Sequence, residues 1–158
     1  MILSTLIPSL EADPARKFTY VEQAFFTRWW NEQTPKMQSR VKKLVESGQL
    51  SFVNGGWCMH DEAATHFMGM VDQTTLGHTF LQETFGFTPR VGWQIDPFGH
   101  SSTQSSLLSA EAGFDALYFG RIDYQDLSLR RDERRVEGIW RSSPNLEDAE
   151  VFWGLTGR

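Results

Sequence analysis

One cysteine, Cys58, stands among the 158 residues of the chain. A single thiol excludes an internal disulfide framework, and no Cys-x-x-Cys pair exists for a zinc ribbon. Basic residues are in deficit, with 15 Lys and Arg against 20 Asp and Glu and a formal charge of −5. A nucleic-acid-binding domain ordinarily shows the opposite balance, so no nucleic-acid partner is expected. No apolar run approaches the ~18 residues of a membrane span, and no membrane partner is expected. The opening Met1–Pro8 stretch is apolar but lacks a basic n-region, and Pro8, Glu11 and Asp13 interrupt it. That is not a signal peptide, so the chain as written is expected in the cytosol. Asn31, Asn54 and Asn145 each lack Ser or Thr two residues on, so there is no N-glycosylation acceptor. Internal repeats and low-complexity linkers are also missing.

Aromatic residues are abundant, with 12 Phe, 6 Trp and 3 Tyr. Large rings fill a core, and tryptophan faces also stack on sugars, so composition leaves both uses open. Apolar residues make up 40% and charged residues 22%, which excludes wholesale disorder. The length fits one domain.

Along the chain, helix and strand patterns alternate. Ile2, Leu3, Leu6, Ile7 and Leu10 predict an amphipathic helix. Residues 18–22 form a short β-rich run. Residues 23–32 predict a helix with Phe25, Phe26, Trp29 and Trp30 at helical spacing. Residues 35–48 predict another, with Gly48 at its C-terminal cap. Strands are expected over 50–54, 90–96, 116–121 and 138–141, and helices over 62–85, 101–112 and 126–136. The final run from Glu150 is strand-like and has no capping element after it. Neither end reads as a natural domain edge. The alternation is that of a mainly parallel sheet, with about five strands. A closed eight-stranded barrel takes about 250 residues. The chain is thus either a small doubly wound domain or a partial parallel (β/α) barrel, incomplete at both ends. Open strand edges would then favour self-association.

In parallel α/β folds the chemistry sits where strands end. Asp96 ends an apolar strand and is followed by Pro97, which stops the ladder. Its carboxylate suits a nucleophile, a general base or a metal ligand; it equally suits a cap on the next helix. Arg121 ends the next strand and suits a partner for Asp96, a contact to a substrate hydroxyl or an ordinary ion pair. His60 and Glu62 form a His-x-Glu pair, and His100 lies four residues after Asp96. Those four side chains together define an alternative, a small metal-dependent hydrolase. His66 and His78 fall on the long helix and read as surface or core-edge residues. Cys58 reads as a small buried hydrophobe. Trp57 and Trp93 lie near strand ends and suit stacking on sugar.

Three strings go further: Gly55–Ala63 (GGWCMHDEA), Val91–Ser101 (VGWQIDPFGHS) and Arg121–Asp126 (RIDYQD). With Tyr20–Trp30 (YVEQAFFTRWW), they resemble glycoside hydrolase family 38, the class II α-mannosidases, in its lysosomal or vacuolar branch and most closely its plant members. The resemblance runs over residues 2–143. It implies that residues 1–158 are a fragment of the α-mannosidase N-terminal catalytic (β/α)-barrel domain. It further implies a retaining, zinc-dependent α-mannosidase acting on mannose-containing N-glycans in the vacuole or lysosome. By the same resemblance Asp96 is the nucleophile and also a zinc ligand. Arg121 is the arginine that helps keep that carboxylate ionised; its own strand-end place, and that of Trp57, also make the two candidate substrate contacts. The family's His-x-Asp zinc pair, its distal zinc histidine and its general acid have no counterpart here. One carboxylate does not hold a catalytic zinc, which needs three protein ligands. The isolated chain is therefore expected to be inactive, with non-catalytic carbohydrate binding as the alternative.

Overall fold

The computed structural model describes residues 2–156, which form two compact units. The first comprises Met1–Cys58 and Gln73–Thr88, and the second Met59–Asp72 and Pro89–Arg158. Helix α4, Phe67–Phe85, starts in the second and continues into the first.

The first unit opens with α1, Ile2–Glu11. Leu3, Ile7 and Leu10 form its buried stripe, while Ile2 is turned out. Strand β1, Phe18–Tyr20, pairs in parallel with β2, Leu50–Phe52. Between them, α2 covers Gln23–Asn31 and α3 covers Pro35–Glu46. Thr34 caps α3 by accepting from Met37 N at 3.3 Å, and Pro35 fills the first turn, where a missing N–H costs nothing. Gly48, at φ +69°, follows the helix end and takes the left-handed turn that a side chain would resist. In α2, Phe26, Trp29 and Trp30 are buried and Phe25 faces out. The Phe26 ring lies 5.1–6.2 Å from those of Phe52, Trp29, Phe80 and Trp30. Each such ring contributes about 1.5–3 kcal/mol by leaving water.

The second unit holds a four-stranded sheet in the order β3-β4-β6-β5. Strand β3 is Val91–Gln94, β4 is Ala116–Phe119, β5 is Glu137–Arg141 and β6 is Glu150–Leu155. Strands β3, β4 and β6 are mutually parallel, and β5 runs antiparallel to β6. A parallel crossover needs a dozen or more residues, and the segment 142–149 allows only a hairpin return. The described residues thus hold six strands in two sheets, rather than about five in one. The expected strand from Glu150 is β6; Gly157 and Arg158 at its end lie outside the described residues.

Between β3 and β4, helix α5 is short, Ser102–Ser105, and widens into a π-helical turn over Ser106–Ala110. Ser101 caps it by accepting from Thr103 N. The cap is thus Ser101, not Asp96. Helix α6, Tyr124–Asp132, begins two residues before the expected start because Asp123 accepts from the N–H groups of Gln125 and Asp126.

Candidate active site at the ends of β3 and β4

Gln94 and Phe119 are register partners at the last positions of β3 and β4. Side chains alternate along a strand, so Asp96 and Arg121, each two residues further, continue the same face. Gly120 permits the approach: a Cβ there would run into the Ile95 carbonyl. Arg121 Nε donates to Asp96 Oδ1 at 2.9 Å, and Nη2 lies 2.7 Å from the same oxygen. Both side chains are more than half exposed. Beside them a cleft of about 710 Å³ is lined by Arg121, His100, Asp123, Phe98 and Tyr124. Phe98 and Tyr124 stand 88% and 76% exposed at its mouth.

Behind this open pair lies a closed one. Glu62, almost wholly buried, meets His100 Nδ1 through Oε1 at 3.1 Å. Its Oε2 accepts from Ser101 N at 2.8 Å. His100 Nε2 lies 2.8 Å from the Arg121 carbonyl oxygen, and the ring packs on Phe119 with centroids 4.3 Å apart. Burial pushes the charged imidazole down, but the hydrogen bonds to Glu62 and to the Arg121 carbonyl outweigh it and raise His100 above its ordinary value. One layer deeper, His60 Nε2 meets Gln104 Oε1 at 2.6 Å, and Gln94 Nε2 donates to the His60 carbonyl at 3.1 Å.

The sequence-predicted residues sort accordingly. Asp96 and Arg121 come together. His100 and Glu62 come together too, but as a hydrogen-bonded pair whose polar atoms already have protein partners. His60 bonds Gln104 instead. The four-ligand metal site is therefore not formed. Trp57 belongs to the first unit, where its N–H donates to the Gln73 carbonyl and its own carbonyl accepts from Ala24 N. Trp93 sits one residue out of phase with Gln94 and Asp96, so it occupies the opposite face of β3. Cys58 is exposed, not a buried hydrophobe. His66 precedes α4 and accepts from Met68 N, and His78 meets the Asn54 carbonyl at 2.8 Å.

Zinc does not fit this set of side chains. Among the described residues no three of His, Cys, Asp and Glu gather at one point. The contacted oxygen of Asp96 faces a guanidinium, and both nitrogens of His100 are engaged.

Residues 1–156 match the glycosyl hydrolases family 38 N-terminal domain, and the chain belongs to that family. It is 57% identical over 154 residues to a probable alpha-mannosidase of Arabidopsis thaliana, covering 97% of this chain and 15% of that protein. It is 54% identical over 150 residues to the lysosomal alpha-mannosidase of Dictyostelium discoideum, covering 95% and 15%. The chain thus spans about a sixth or less of the length of these relatives. In fold it superposes on the 4-alpha-glucanotransferase of Thermococcus litoralis with a TM-score of 0.70 at 17% identity, over 96% of this chain and 23% of that one.

Proposed function

We propose that this chain is the part of a retaining α-mannosidase that supplies the nucleophile, and that residues 1–158 belong to the N-terminal catalytic (β/α)-barrel domain of that enzyme. The observation that carries the reading is the Asp96–Arg121 pair, set at adjoining parallel strand ends within a sequence of this family. The substrate class is mannose-terminated glycans, and the compartment is the vacuole or lysosome of the whole enzyme.

In this reading an Asp96 oxygen attacks C1 of the terminal mannose. The bond from C1 to the glycosidic oxygen breaks, and that oxygen takes a proton from a second carboxylic acid. Water then attacks C1, gives its proton to that second carboxylate, and releases Asp96 with the configuration retained. Carboxyl groups in such enzymes lie about 5–5.5 Å apart. Arg121 holds Oδ1 and orients the carboxylate. Phe98 and Tyr124 present apolar faces of the kind that pyranose C–H groups cover. Zinc chemistry would need ligands beyond Asp96.

The test is a chimera in which the matching segment of the 57% identical Arabidopsis relative is replaced by this chain. Release of 4-nitrophenol from 4-nitrophenyl α-mannoside should persist in the chimera and fall to background with Asp96→Asn. A folded chimera without turnover, or a turnover indifferent to Asp96→Asn, overturns the reading. The chain alone should release none, with or without zinc. For the isolated chain the alternative is non-catalytic carbohydrate binding, which would appear as saturable mannose-oligosaccharide quenching of tryptophan fluorescence.

A further inference from the structure

His100 has acceptors on both sides. Nδ1 faces a Glu62 carboxyl oxygen at 3.1 Å, and Nε2 faces the Arg121 carbonyl at 2.8 Å. A backbone carbonyl only accepts, and a neutral imidazole carries one N–H. Both contacts are hydrogen bonds together only if the ring holds two protons or Glu62 holds one. The second oxygen of Glu62 accepts from Ser101 N, so a carboxylate at this place receives one bond from the main chain and one, charge-assisted, from a doubly protonated ring. A ring with two N–H groups satisfies both acceptors at once, and it is closed in beside Phe119.

The consequence lies at Arg121. The residue whose main chain His100 grips is the one whose side chain grips Asp96. Glu62 binds both His100 and Ser101, so it also ties down the segment that follows Asp96. We propose that doubly protonated His100 is a positioning residue that keeps the Arg121 guanidinium on Asp96 Oδ1, so that loss of its proton loosens the pair. This rests on the reading of Asp96 as the reacting carboxylate. The test below needs no turnover, so either idea can fail without the other.

The charged groups around His100 leave Glu62 as its anion. From α6, Asp126 lines the cavity that His100 shares with Trp140 and Trp153, but it is engaged with Arg130 at 2.8 Å. Asp123 and Tyr124 line the other side, where Asp123 is held as the cap of α6. The Arg121 guanidinium is occupied by Asp96. The rise of His100 above its ordinary value agrees with this arrangement.

The experiment is an NMR titration of the full ¹⁵N-labelled chain, following the His100 ring nitrogens and the Arg121 Nε–H together. At pH 6.5 the ring should show the doubly protonated pattern, and the Arg121 signal should move with the midpoint at which His100 later titrates. Glu62→Gln should lower both midpoints together, by tenfold or more in proton affinity. A singly protonated ring at pH 6.5 overturns the proposal. So does an Arg121 signal that stays fixed while His100 titrates. Should Glu62→Gln fail to fold, the titration of the unaltered chain decides alone.

Discussion

Arg121 contacts Asp96 through one oxygen only: Nε at 2.9 Å and Nη2 at 2.7 Å both converge on Oδ1. Arginine–carboxylate pairs are frequently bidentate, with two N–H groups on two oxygens. Convergence on Oδ1 leaves Oδ2 without a contact from Arg121 in this arrangement, and Oδ2 is the oxygen the proposed attack would use. Removing this exposed pair should cost little stability, about 1 kcal/mol or less. In the chimera, Arg121→Ala should lower turnover on the order of 100-fold. Chemical unfolding beside a rate assay separates the two effects. A variant that unfolds early but turns over normally would reverse the assignment.

The buried pair should behave in the opposite way. Glu62 is 1% exposed at its side chain and His100 is 9%. Glu62→Ala strands a buried imidazolium and leaves Ser101 N without its acceptor, which should cost about 3 kcal/mol or more. Urea unfolding of the chain checks this. An unchanged midpoint would show that the pair contributes nothing to the fold.

The same pair gives stability a direction in pH. His100 binds its proton more tightly folded than unfolded, since its value is raised from 6.5. Its contribution is full below 6.5 and fades as pH rises through the raised value. The urea midpoint of the chain should therefore drop over that interval, and the drop should be absent in His100→Gln. A midpoint that climbs there instead contradicts the sign.

Cys58 is exposed, yet partial burial of its sulfur first, and Glu22 second, push the thiol above its ordinary value. Alkylation depends on thiolate. Iodoacetamide at pH 8 should label Cys58 completely but more slowly than a free cysteine peptide, and Glu22→Gln should quicken it. Labelling at the peptide rate would rule out this suppression.

Two glycines of α4 make a further contrast. A Cβ at Gly77 would overlap the Gly55 carbonyl and come within 2.6 and 2.9 Å of Gly56 backbone atoms, whereas one at Gly69 meets nothing within 4 Å. Gly77→Ala should destabilise, because backbone cannot step aside. Gly69→Ala should gain about 0.5–1 kcal/mol from helix propensity. Thermal melts of the two variants that move in the same direction would refute this.

The exposed half of the site was legible in the sequence, and the buried half was not. Strand-end position singles out Asp96 and Arg121, and the parallel register then brings them together. Glu62 and His100 are 38 residues apart and lie in irregular segments, where no periodicity signals a contact. Read locally, His60-x-Glu62 suggested a metal, but the two side chains turn to different partners. The long helix starts at Phe67 rather than at residue 62, because Asp61 Oδ1 accepts from Ala63 N and Ala64 N and closes a turn there. The buried stripe of α1 and the cap of α3 were legible because each depends only on neighbours within one or two turns.

The first unit is discontinuous, and this sets an order of events in time. Phe26, Trp29 and Val41 belong to a cluster completed by Leu81 and flanked by Phe80 and Phe85. A ribosome adding about 5–20 residues per second delivers the segment 73–88 seconds after the segment it must join. Through that interval the tryptophans of α2 have emerged without their cover. The segment 59–72 must also be threaded out before the first unit can close. Chaperone demand during synthesis should therefore peak before residue 88 emerges, well ahead of the strands that carry Asp96 and Arg121.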